Sequence, residues 1–216
     1  MPALRSALNA GLLHPAAKPL VFCLALLPLG WLVALAVLDG LGANPAEALI
    51  RGLGDWALRL LCATLALTPL RVSAGLTALA RYRRMLGLFA AFYALLHLLA
   101  YAWLDQGLDG AALVRDVLKR PFITVGMLTG LVLAVLAATS PQRAVRWLGG
   151  RRWQALHRSV YAAAVLAVLH FAWLRAGKNN FAEVLWYALV LGALLAWRLV
   201  RALQRAQRTR QSAQAL

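Results

Sequence analysis

The chain has 216 residues, 62% of them hydrophobic and 14% charged, with a formal net charge of +16. Its apolar residues gather into several continuous runs long enough to cross a bilayer, which marks an integral membrane protein and leaves no stretch outside them to fold as a separate soluble domain. The runs are rich in Leu and Ala rather than alternating over about ten residues, which excludes a transmembrane barrel.

Met1 to Lys18 form a short basic head before a first span at roughly residues 19–38. The head, the run and the triplet Ala34-Leu35-Ala36 imitate a secretory signal, but the run is long for one and more spans follow, so it reads as an anchor. His14, beside Pro15, reads as a solvated histidine. A connection at residues 39–45 carrying Gly, Asn and Pro leads to the second span, 46–70, which Pro69 and a basic loop are expected to end. Arg59 inside this span reads as snorkelling towards an interface, with a cofactor carboxylate as the alternative partner. The third span, 84–104, follows the basic stretch R-Y-R-R and contains His97. A polar connection with Asp105, Gln106, Asp109 and Asp116 then reaches Pro121, a residue tolerated in a first helical turn, so the fourth span runs over 121–139.

Arg143, Arg146, Arg151 and Arg152 precede the fifth span, 153–175, which holds His157 and His170 and ends near Gly177, Lys178, Asn179 and Asn180. The sixth span, 181–199, continues into a tail carrying Arg201, Arg205, Arg208 and Arg210. Cys23 and Cys62 lie in apolar runs without metal-ligand spacing and read as free thiols. Trp103, Trp147, Trp153 and Trp173 fit interfacial belts. The expectation is one domain over 1–216, an all-α integral membrane protein built as a six-transmembrane-helix bundle.

The placement of charge speaks to topology rather than to a nucleic-acid partner. The head, the second and fourth loops and the tail, with the adjoining ends of their spans, hold 15 Lys and Arg and no acid, whereas all 7 acidic residues lie in or beside the other three loops. By the positive-inside rule both termini are expected to be cytoplasmic.

Histidine within lipid is costly unless something binds it, so His97, His157 and His170 are the candidate functional residues. Spans three and five run in the same direction, which puts His97 and His170 at similar depth near the outer face. They could bind one haem iron between them. His157 lies thirteen residues before His170, about 20 Å along a helix axis and near the cytoplasmic face. Thirteen residues also turn a straight helix by roughly 140° away from the starting face, so tilt or a kink is required for both rings to serve one path. Arginines at the cytoplasmic ends suit haem propionates. Three readings stay open on these residues: haem ligation, hydrogen-bonded core histidines, and a proton relay. Zinc lacks ligand spacing and further ligands.

The segments R-R-M-L-G-L at 83–88, Y-A-L-L-H ending at His97, R-P-F-I-T-V-G-M at 120–127 and L-G-G-R-R-W-Q-A-L-H-R-S-V-Y at 148–161, with His170, carry a resemblance over nearly the whole chain. It resembles the haem-binding membrane subunits of bacterial protein-methionine-sulfoxide reductases, in the ferric-reductase-like transmembrane family. That resemblance implies one or two haem b groups in the inner membrane, with His97, His157 and His170 as iron ligands. It implies electron transfer to a periplasmic molybdopterin catalytic subunit, MsrP, so that this chain is not itself the catalytic subunit. The wider family has two histidines on each of two helices, and Arg83 stands where the fourth would lie, so Arg83, water or nothing completes the cytoplasmic-side site. No FAD/NADPH domain is present, which implies a cytoplasmic flavin reductase using NAD(P)H, or quinol, as electron donor. FMN is also associated with the family, and its phosphate is expected at the basic loops although no flavin motif is visible. The rival readings are a self-contained ferric or oxygen reductase and a proton-relay transporter.

Overall fold

The computed structural model describes residues 2–176 and 179–214, and among these it contains helices and no strand. The turn expected at Gly177 and Lys178 lies outside the described residues. Among the described residues ten α-helices follow one another: α1 (Pro2–Leu13), α2 (Ala17–Val37), α3 (Pro45–Ser73), α4 (Arg83–Ala100), α5 (Gly110–Lys119), α6 (Pro121–Ala138), α7 (Gln142–Leu148), α8 (Gly150–His157), α9 (Val160–Ala176) and α10 (Ala182–Gln214). A 3₁₀ turn at Thr77–Tyr82 leads into α4, and a π turn at Tyr101–Asp105 extends it. Six of the resulting stretches are long and apolar enough to cross a membrane, one for each expected span. Their outward faces carry large apolar side chains such as Leu27 and Trp31, 67% and 64% exposed, a surface suited to lipid and untenable in water.

Loops one, three and five gather at one end of the bundle, the acidic end; the head, loops two and four and the tail gather at the other, the basic end. The core runs between them through Leu61, Leu65, Tyr93, Ala163 and Ala164. The small side chains on α9 let it approach its neighbours closely, as membrane helices without a hydrophobic drive between them require.

Two prolines inside spans are accommodated by donors from elsewhere in the chain. In α2, near Pro28, the Tyr93 hydroxyl donates to the Ala25 carbonyl at 2.8 Å and accepts the Leu29 N–H at 3.0 Å, so a side chain from α4 is inserted into the α2 ladder. In α3, Pro69 has no N–H for the Leu65 carbonyl, and Arg198 of α10 donates to that carbonyl instead. Pro69 was expected to end this helix, yet α3 continues to Ser73. In lipid an orphaned carbonyl costs several kcal/mol on the order given by transfer data, so a donor that supplies the bond removes the reason to stop.

Several connections are more ordered than composition alone suggests. The basic head forms α1, docked by Asn9 on the Gly75 carbonyl and the Ala78 N–H and by Arg81 on the Leu13 carbonyl at 2.9 Å. The polar third connection contains α5, capped by Asp109, whose carboxylate accepts the N–H groups of Ala111 and Ala112 at 2.8 and 3.1 Å. Those bonds, Ala112's first, hold the Asp109 carboxyl below its usual range. Asn44 caps α3 by accepting the Glu47 N–H at 3.2 Å, with Pro45 in the first turn. The tail continues α10 to Gln214 rather than leaving the helix. The fifth span is broken between α8 and α9, where the Ser159 hydroxyl donates back to the Leu156 carbonyl at 2.7 Å. A break in this span is what the angular phase of His157 and His170 requires.

Candidate functional site

The site is built from two helix pairs. α3 packs along α4, α6 packs along α9, and these are the two most extensive helix pairings in the bundle. His97 projects from α4 and His170 from α9, and their rings face one another with centroids 6.3 Å apart and planes 77° from parallel. Each ring is held by a backbone carbonyl from the partner helix of its own pair. His97 Nδ1 donates to the Ile50 carbonyl at 2.8 Å, and His170 Nδ1 donates to the Phe122 carbonyl at 2.6 Å. A carbonyl only accepts, so Nδ1 carries the proton in both rings and Nε2 is left with its lone pair. This is the arrangement in which a second-shell carbonyl fixes ring orientation and raises ligand basicity.

The two rings line one cavity of about 480 Å³, which also reaches Arg51, Asp105, Arg120 and Arg175 at the acidic end. Among the described residues no three His, Cys, Asp or Glu side chains converge as a metal cluster. A metal between these two imidazoles therefore needs its other ligands from a group such as a planar tetrapyrrole. Two metal–nitrogen bonds of about 2 Å, with about 1 Å from each nitrogen to its ring centre, span about 6 Å, against the 6.3 Å observed. The donor set, ring spacing and cavity fit a haem that the two imidazoles would hold.

The rim arginines are paired. Arg51 bridges Glu47, Arg175 bridges Glu183 at 2.5 Å, and Arg120 Nε meets Asp116 Oδ1 at 2.5 Å. Tyr101, one turn beyond His97, donates to the other oxygen of Asp116 at 2.5 Å. Desolvation alone pushes the Asp116 carboxyl upward, but the bonds from Tyr101 and Arg120 and the Arg120 charge outweigh it and leave the group below its ordinary value. The arginines lining this cavity thus stand at the acidic end, whereas the sequence reading placed propionate partners at the basic end.

His157 stands apart from the pair. Its ring stacks on Trp153 with centroids 3.9 Å apart, and its Nε2 lies 3.2 Å from the Thr139 hydroxyl. That hydroxyl gives its own proton to the Val135 carbonyl at 2.7 Å, so it accepts from His157, and Nε2 carries the proton here. His157 must release Thr139 before Nε2 can bind a metal. Arg83 lies within electrostatic reach of His157, so the structure brings those two predicted residues into one neighbourhood at the basic end. Trp153, expected in an interfacial belt, also covers His157 and donates to the Thr139 carbonyl at 2.8 Å. Arg59 does not line the cavity: its Nε donates to the Tyr187 hydroxyl at 3.1 Å and its guanidinium lies 4.7 Å from the Trp56 ring centre.

Sequence reasoning missed Ile50 and Phe122, whose contributions are backbone carbonyls and leave no mark in a side-chain pattern. One regularity emerges once the acceptors are known. The two carbonyl-to-histidine separations are 47 and 48 residues, an internal repetition that two apolar helix pairs do not otherwise advertise.

Residues 53–168 match the family described as "Ferric reductase like transmembrane component", a segment that includes His97 and His157 and ends two residues before His170. Among curated proteins, the chain is 58% identical to the "Protein-methionine-sulfoxide reductase heme-binding subunit MsrQ" of Polaromonas naphthalenivorans over 187 residues, 87% of this chain and 85% of the relative. It is 54% identical to the MsrQ subunit of Bordetella pertussis, covering 84% of this chain and 87% of the relative. It is 53% identical to that of Rhodospirillum rubrum, covering 86% and 88%. No solved structure matches. With the family segment spanning both helix pairs, and such identity sustained over most of the chain and of its relatives, the chain belongs to the ferric-reductase-like transmembrane family, alongside the MsrQ subunits.

Proposed function

We propose that this chain is a haem b electron-transfer subunit of the bacterial inner membrane. It takes electrons from a cytoplasmic donor, a flavin reductase with NAD(P)H or quinol, and delivers them to a periplasmic molybdopterin methionine sulfoxide reductase, MsrP. The observation that carries the reading is the facing pair His97 and His170, each with Nδ1 bound to a carbonyl and Nε2 free, 6.3 Å apart in one cavity. The name borne by the curated relatives supplies the system in which such a subunit works.

Bound haem supplies a one-electron iron couple. The chain's own residues do the rest. The Ile50 and Phe122 carbonyls hold the two rings in orientation and increase electron donation from Nε2. The largely apolar lining around the two rings favours the iron state of lower net charge. Positive-inside asymmetry puts the acidic end, and with it His97 and His170, on the periplasmic side. His157, with Arg83 beside it, would ligate a second haem at the cytoplasmic side once its Nε2 releases the Thr139 hydroxyl, and the basic loops there are where a flavin phosphate meets guanidinium.

The test is reconstitution of the purified protein in proteoliposomes with MsrP outside and a flavin reductase and NADH inside. The reading predicts NADH-driven reduction of a methionine sulfoxide substrate that requires both membrane protein and MsrP. Ferric or oxygen reduction at an equal rate without MsrP contradicts it and favours a self-contained reductase.

A further inference from the structure

The two histidine seats share a second feature, a glycine four residues after each accepting carbonyl. Gly54 follows Ile50 on α3 and Gly126 follows Phe122 on α6, so each glycine lies one turn along the same helix face as the carbonyl. A Cβ built on Gly126 stands 2.7 Å from His170 Cε1 and 2.8 Å from its Nδ1, and one built on Gly54 stands 3.0 Å from His97 Nδ1 and 3.2 Å from Cε1. Contacts below about 3 Å lie far inside the carbon–carbon optimum of 3.5–4.0 Å, so something must move. The atoms in the way belong to rings pinned by hydrogen bonds, not to the ends of flexible chains. Gly192, on α10, has open space at the same construction.

We propose that Gly54 and Gly126 are positioning residues, and that α3–α4 and α6–α9 form a duplicated unit in which carbonyl, glycine and histidine together present one axial imidazole each to a shared metal. The glycine lets the ring lie close against the helix backbone, and the carbonyl one turn earlier fixes its rotation about that contact. A methyl at either position pushes the ring away from the helix that carries its carbonyl, which strains the Nδ1 bond and would change how the imidazole meets a metal. Because its contacts are shorter, Gly126 is the more sensitive of the two. This inference rests on the reading that His97 and His170 ligate one haem.

The experiment compares the unmodified protein with Gly126→Ala, Gly54→Ala and Gly192→Ala, purified in detergent and measured for haem per chain, low-spin signal by electron paramagnetic resonance, and midpoint potential. Alanine favours a helix interior over glycine, so a role confined to helix stability predicts no loss in any variant. The expected result is loss of most of the low-spin signal of one haem in Gly126→Ala, shifted g values and potential in Gly54→Ala, and an unchanged Gly192→Ala. If Gly126→Ala does not accumulate in the membrane, Gly54→Ala decides by the same readouts. Unmodified g values and potential in the glycine variants overturn the inference and leave the haem reading standing. An unmodified protein without haem, or one that keeps the same low-spin haem after both His97 and His170 are replaced, overturns the underlying reading itself.

Discussion

Arg198 and Pro69 offer a sharp energetic test of how the bundle closes. The Leu65 carbonyl has lost its helical donor to Pro69, and Arg198 of α10 donates to it across 133 positions of sequence. Replacing Arg198 by methionine keeps most of the chain length and removes the donors. It leaves the carbonyl unpaired, a cost of about 1–3 kcal/mol, and it also removes a charge from the span, which acts in the opposite direction. The charge contribution is common to any background, so a double-mutant cycle with Pro69→Ala cancels it. An alanine in place of the proline restores an N–H one turn after Leu65, and the carbonyl then has a helical partner whether or not Arg198 is present. Interhelical bonds in membrane proteins reach about 1.7 kcal/mol, so the expected coupling is about 1–2 kcal/mol, with Arg198→Met more costly in the Pro69 background. Reversible unfolding by sodium dodecyl sulfate in bicelles measures it. Additivity within about 0.5 kcal/mol would refute the reasoning, since independent sites behave that way.

Tyr93→Phe should cost less, under about 1 kcal/mol in the same assay, because Ala25 and Leu29 are one helical turn apart and can bond each other once the hydroxyl is gone. Asp116 has a folded-state pKa below its ordinary value of 3.8, so its contribution to stability is present above that value and is lost as pH falls through the depressed one. Acid unfolding of Asp116→Asn should accordingly show a weaker pH dependence below about pH 5 than the unmodified protein; superimposable profiles would remove Asp116 from the account. Trp153→Ala strips the stacked ring from His157 and should raise its modification by diethyl pyrocarbonate several-fold, read by mass spectrometry, with His97 and His170 unaffected.

The six spans were legible because apolar runs of bilayer length have few other uses, and the curated relatives bear out the resemblance that His97, the 120–127 segment and the 148–161 segment carried. The broken fifth span was legible in part, since thirteen residues at 3.6 per turn put the two rings on different faces of a straight helix, and the helix is interrupted between α8 and α9. Pro69 misled because a proline's effect depends on whether another donor takes its orphan carbonyl, and the donor stands on the last helix. Residue type alone named no partner for Arg59 or Trp153, and the structure supplies the Tyr187 hydroxyl and the His157 ring. The histidine seats lay beyond side-chain patterning altogether, because their acceptors are main-chain carbonyls of Ile50 and Phe122.

The central claim is that His97 and His170 hold one haem and that His157 belongs to another place. Optical spectra of the detergent-purified protein, oxidised and dithionite-reduced, with a pyridine haemochrome assay for haem per chain, test it when His97→Ala, His170→Ala and His157→Ala are measured side by side. The account predicts b-type bands in the unmodified protein, the same loss or high-spin conversion in the first two variants, and a different spectral component affected in the third. A colourless unmodified protein, or His97 and His170 variants with unchanged spectra, would contradict it.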